Sequence, residues 1–121
     1  MVLIAEKKGF EMSSVPTKFF TVDQNNSDGS FDHVPSHGIG YYLCVEAVDA
    51  NHARARIARI IDGYPGRGPD CPCCGDRWSL WIDDDDGTAQ PEQYGSPLRG
   101  GWGIPAYVHY LDGRIEAVDP D

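Results

Sequence analysis

The segment from Tyr41 to Gly63, YYLCVEAVDANHARARIARIIDG, confines the fold more than any other part of the chain. Its first part, Tyr41 to Val48, is dominated by aromatic and β-branched residues, and Leu43, Val45 and Ala47 alternate with Tyr42, Cys44 and Glu46. That period of two is the pattern of a strand. Asp49 then stands where an N-cap belongs, and Ala53, Ile57, Ile60 and Ile61 recur at helical spacing. With Gly63 as a C-cap candidate, a helix is expected near Ala50 to Asp62. A strong strand running into the one helix that the periodicity supports excludes an all-α fold.

Other β-rich runs surround this unit. In KFFTVDQ, from Lys18, Phe19 and Thr21 fall on one face and Phe20 and Val22 on the other. The turn-forming NNSDGSF follows it. Near the end, IPAYVHYLDGRIEAV reads as a hairpin about Asp112-Gly113, a dipeptide suited to a type I′ turn because both central residues need positive φ. Between helix and hairpin lies a long region rich in Pro, Gly and acid, without a clear period. Such regions are uncommon in compact domains unless they are functional or fixed by something. The expected architecture is α+β: a small antiparallel sheet of about four strands, one packed helix and a long irregular cysteine-containing loop. Residues 1–16 read as an N-terminal extension, and 17–121 as a single domain.

At 121 residues and 40% hydrophobic the chain can build one modest core. Acidic residues number 19 against 10 basic, a net charge of −9. This disfavours a nucleic-acid partner unless the basic residues gather on one face; an acidic surface that imitates nucleic acid or docks on a basic host protein has a place, although acidity more often just keeps a domain soluble. No apolar run approaches a membrane span, and the start lacks the form of a secretory signal, so a cytoplasmic location is expected.

Three of the four cysteines crowd into DCPCCGDRW. Cys71-Pro72-Cys73-Cys74-Gly75 has the C-P-x-C-G form of a zinc knuckle, in which two thiolates converge on one ion while glycine lets the backbone fold beneath them. Cys71 and Cys74 supply only half of a tetrahedral site. Completion falls to Cys73, to Cys44, to His109, or to His33, His37 or His52, and a site shared by two chains in a homodimer is another route. Structural zinc therefore stands beside two alternatives, a redox dithiol without the usual helix after it and free thiols packing a tight turn. The Asp83 to Asp86 run fails as a calcium loop, because an EF-hand alignment on Gly87 puts Ile82 and Gln93 at the essential ligand positions. It reads as a solvated acidic loop, and Arg54, Arg56 and Arg59 as a solvated helix face.

No P-loop, H-E-x-x-H, G-x-S-x-G or dinucleotide motif occurs. A binding protein is thus favoured over an enzyme, with a metal-dependent enzyme at the cysteine block as the weaker alternative. Candidate ligand-binding residues are Gln24, Asn25, Asn26, Ser27 and Ser30 in the polar turn, together with Arg77 and Trp78. Of Trp78, Trp81 and Trp102, at least two are expected in the core.

With KFFTVDQNNSDGSFD, YYLCVEAVDANHARARIARI, DCPCCGDRW and YVHYLDGRIEAV in this order, the chain resembles a family of small uncharacterised proteins of tailed bacteriophages and prophages. The resemblance runs from about Lys18 to Val118. It is carried most specifically by Gln24, Asn25, Asn26, Ser27, Gly29, Ser30 and Phe31 and by Cys71, Cys73, Cys74, Gly75, Asp76, Arg77 and Trp78; it departs at Asp28. The resemblance implies an accessory protein that acts on a host or defence protein by binding. The alternative is a protein that sequesters a small nucleotide, with the Gln24 to Ser30 turn as its phosphate cradle.

Overall fold

The computed structural model describes residues 16–24, 31–65 and 77–120. Residues 1–15 of the N-terminal extension, the Asn25 to Ser30 turn and the Asp70 to Asp76 part of the cysteine block lie outside the described residues. Four strands, β1 (Lys18–Asp23), β2 (Tyr42–Ala47), β5 (Ala106–His109) and β6 (Ile115–Val118), form one sheet in the order β1-β2-β5-β6. Two short strands, β3 (Glu92–Gln93) and β4 (Ser96–Pro97), form a separate hairpin. The helix α1 covers Ala50–Asp62, the range its periodicity predicts. The fold is therefore α+β.

The expectation of an antiparallel sheet is corrected at its centre. β1 pairs antiparallel with β2, and β5 with β6, but β2 and β5 run parallel, with Leu43 opposite Tyr107 and Val45 opposite His109. Parallel neighbours need a crossover, and α1 together with the irregular segment after it supplies one. Such strands are stable only when both faces are covered. On one face Phe20, Val22, Leu43, Val45 and Ala47 pack against Ala53, Ile57 and Ile61 of α1. On the other, Cys44, Ala106 and Val108 cluster with Leu98 from the irregular segment, flanked by Phe19, Tyr42 and Tyr110.

α1 begins as expected, with the Asp49 side chain accepting the His52 N–H at 2.8 Å. Asp84 adds a second cap by accepting the Ala50 N–H at 2.8 Å. The acidic run is thus only partly a solvated loop: Asp84–Asp86 form a short 3-10 turn closed by a capping box between Asp83 and Asp86. Gly63 ends α1 at φ −103°, so its left-handed freedom is not used. Nor is the helix's arginine face simply solvated. Arg54 donates to the Ile82 carbonyl and to Asn51, and Arg56 donates to the carbonyls of Glu46 at 2.6 Å and of His109 and Tyr110 at 3.2 Å each.

The turns also depart from expectation. In the β5–β6 hairpin, Tyr110 N–H donates to Arg114 and Gly113 N–H to Tyr110, and Gly113 alone in the loop is left-handed, at φ 95°. This is a three-residue loop with a glycine bulge, not a two-residue type I′ turn. The positive-φ pairs occur instead at Tyr94-Gly95, with φ 54° and 78°, and at Trp102-Gly103, with φ 56° and 77°. Both are flanked by antiparallel pairs, Gln93 with Ser96 and Gly101 with Ile104. Asn, Asp or Gly normally fills the first such position, so an aromatic residue there is unusual.

The Trp102 turn is set close against β5's entry. A Cβ on Gly100 would lie 2.0 Å from the Ile104 carbonyl oxygen. Because backbone rather than a flexible side chain occupies that space, Gly100→Ala is expected to destabilise the domain by about 3 kcal/mol. A urea titration of the two proteins measures this.

Candidate functional site

Three of the residues proposed from sequence do converge. Gln24 and Trp78 form an isolated antiparallel bridge at the end of β1, and both are buried with Arg77. Around them lies a partner that the sequence reading missed, Asp32. The Gln24 side chain accepts the Asp32 N–H at 2.7 Å and donates to the carbonyls of Asp32 at 2.8 Å and Gly40 at 2.7 Å. Trp78 Nε1–H donates to the Tyr64 hydroxyl at 3.1 Å, which donates to Asp32 Oδ2 at 2.5 Å. Arg77 Nε lies 4.0 Å from the same oxygen. Gln24, Asp32, Tyr64 and Trp78 satisfy one another inside the protein, so they tie the end of β1 to the segments beside it. The other candidate ligand-binding residues, Asn25, Asn26, Ser27 and Ser30, lie outside the described residues.

Cys71, Cys73 and Cys74 lie outside them as well. The two strand residues considered as further ligands point to opposite faces of the sheet. Cys44 pairs with Val108 and belongs to the cluster opposite α1, whereas His109 pairs with Val45, whose side chain is in the helix-side core. One ion cannot take both. Cys44 is fully buried, and burial pushes its thiol up to about 12, partly offset by a hydrogen bond with Thr21. The His109 ring is 2.9 Å from the Gly38 carbonyl, to which Nε2–H donates. Among the described residues no three His, Cys, Asp or Glu side chains group in a way that would hold a metal.

Trp81 and Trp102 overturn the expectation that at least two tryptophans are internal: Trp78 is 1% exposed, Trp81 93% and Trp102 83%. A groove of about 420 Å³ opens beside the outer edge of β1. Its floor includes Val22 and Ile82, and Trp81 and Tyr94 stand at it. The carboxylates of Asp23, Asp85, Asp86 and Glu92 line it, and among the described residues no Lys, Arg or His side chain does.

Local structure explains each position. The Thr88 backbone exchanges two hydrogen bonds with Phe19, at 2.8 and 2.9 Å, and Thr21 Oγ1 donates to the Glu92 carbonyl at 2.9 Å. These contacts hold the acidic turn and the β3–β4 hairpin along the β1 edge. Tyr94, 78% exposed, donates its hydroxyl to Asp23 Oδ2 at 2.9 Å, and that bond, with burial and the carboxylate's charge behind it, pushes the phenol up to about 12. Rings continue from Tyr94 through Tyr42 and Tyr41 to Phe31, with centroids 6.5, 4.7 and 5.0 Å apart. Gly101 sits so close to the Tyr41 ring that a Cβ there would approach it to 2.6 Å, which joins the Trp102 turn to the same aromatic surface.

A family model described as Domain of unknown function (DUF7296) matches residues 17–120. The chain belongs to the DUF7296 family. No curated protein and no solved structure matches it. The DUF7296 match covers both the buried Asp32 network and the acidic groove. In this DUF7296 chain no helix among the described residues is long and apolar enough to cross a membrane.

Two outcomes separate structural from ligand-binding roles here. Gln24→Ala strands one buried N–H and two carbonyls, so it is expected to lower the unfolding free energy by about 3 kcal/mol; an unchanged urea midpoint would contradict the tie described above. Burial, helped by the Arg56 charge and opposed by the Gly38 hydrogen bond, holds the His109 imidazole below its ordinary value of 6.5. The unfolded chain then takes up the proton first. Stability from this group is present above pH 6.5 and falls as the pH drops through the depressed value. His109→Gln, which keeps a donor for Gly38, is expected to remove that part of the fall when urea midpoints are compared between neutral and mildly acidic buffer.

Proposed function

We propose that this chain is a phage-encoded, non-catalytic accessory protein that docks a basic segment of a host or defence protein in the groove beside β1. The observation that carries the reading is the pairing of four carboxylates with two outward aromatic rings and, among the described residues, no cation in the lining. An arginine or lysine entering there meets carboxylate charge and an aromatic face together. Trp and Tyr are also enriched among residues that dominate protein interfaces. Backbone conformation adds support, since Tyr94 and Trp102 occupy left-handed turn positions that a residue chosen only for stability would avoid. The sequence resemblance to phage proteins supports the origin, and the net charge of −9 supports a basic partner. Structural zinc at Cys71, Cys73 and Cys74 fits this reading as a brace for the loop they occupy, without a catalytic part.

Immobilised protein is expected to capture a basic protein from lysate of the bacterial host, and the purified partner then gives a dissociation constant. Trp81→Ala is expected to weaken binding by about 30-fold, the equivalent of roughly 2 kcal/mol for a central aromatic anchor, with the circular dichroism spectrum unchanged. Asp85→Asn with Glu92→Gln is expected to flatten the salt dependence of association. Equal affinity of all three proteins for the partner would refute the groove as its docking site.

A further inference from the structure

A second groove, of about 500 Å³, has the opposite electrostatic character. It lies between α1 and the β5–β6 hairpin, and among the described residues no carboxylate lines it. His52, Arg56 and Arg59 reach it from one side of α1, at positions separated by four and three residues, the spacing that shares a helix face. Arg114 faces it from the hairpin, with Ile60 and Ile115 as apolar lining. In a chain with 10 basic residues and 19 acidic ones, three arginines on one carboxylate-free concavity are a marked segregation of charge.

The cations differ in how committed they are. Arg56 is fixed by its three carbonyl acceptors and forms a static positive floor. Arg59 is exposed and, among the described residues, makes no hydrogen bond or ion pair. Arg114 lies 4.1 Å above the Tyr110 ring and 3.4 Å from Asp112 at the rim, both groups being largely exposed. An exposed pair of that kind contributes little, so exchanging Asp112 for another anion costs little. His52 Nδ1 accepts the Val48 N–H at 3.1 Å, which leaves the proton of the ring on Nε2 as a further donor. His109 is committed to Gly38 and supplies no donor.

We propose that this groove binds the phosphate of a small phosphate ester, held by Arg59 and Arg114 over the Arg56 floor, with the ester's carbon portion against Ile60 and Ile115. Guanidinium forks match phosphate oxygens in pairs. The groove's volume is in the range of small-molecule sites. A long nucleic acid is disfavoured, because a polyanion extending beyond the groove would meet the acidic remainder of the surface. This site is separate from the β1-edge groove and stands or falls independently of it.

The test is a two-dimensional amide NMR titration at constant ionic strength with inorganic phosphate, ribose phosphate and adenosine monophosphate as separate probes. Saturable shifts are expected at His52, Arg59, Ile60, Arg114 and Ile115. Tighter binding of the esters than of inorganic phosphate supports the proposal; equal affinity for all three probes would overturn the role given to Ile60 and Ile115. Arg59→Gln with Arg114→Gln is expected to weaken binding by about tenfold or more, while Lys18→Gln, which removes charge on β1, leaves it unchanged. Absence of saturable shifts with every probe would overturn the proposal. So would an equal loss in the Lys18 variant, which would reduce the effect to net charge.

Discussion

The parallel pairing of β2 with β5 is the constraint on which the rest of the structure depends. Each of these strands is central, with a neighbour on either side, and every residue of β5 is buried. A sheet of this kind needs a layer on both faces. α1 supplies one layer. The segment without regular periodicity supplies contacts to the other, through Leu98 beneath Val108 and Cys44. What looks like a long loop is a covering element. Its Tyr94 and Trp102 turns are excursions exposed to solvent.

Charge is distributed according to the same plan. Acidic side chains collect at the β1 edge, where the sheet ends and an added layer leaves a concavity. Basic ones collect across the sheet's other region, where α1 meets the β5–β6 hairpin. A net charge alone cannot describe such a molecule. Its two grooves carry opposite charge, one lined by carboxylates and the other by arginines.

Much of the secondary structure was legible in the residues, for identifiable reasons. The alternation in Tyr41 to Val48, the Asp49 cap and the isoleucine spacing of α1 are local signals, and they hold because side-chain direction follows directly from a period of two or 3.6. Strand direction at the sheet centre was not legible, since it depends on the route of the chain between Asp62 and Ala106, which carries no period. Depth was equally hidden: Trp78 and Trp81 are three positions apart, yet only the former finds an internal acceptor, on Tyr64. Gln24 drew attention as a polar residue in a turn, but its partners are the backbone of Asp32 and Gly40, distant in sequence. Cys44 and His109 looked interchangeable until register assigned them to opposite faces.

The two aromatic residues with left-handed backbone place stability and recognition in opposition. At Tyr94 and Trp102 an asparagine or glycine would relieve the backbone without disturbing a core contact, because neither ring is internal. Random drift under selection for folding alone would therefore erode both rings first. On the docking proposed for the β1-edge groove, homologues that have exchanged them for Asn or Gly would be expected to have exchanged their partner as well.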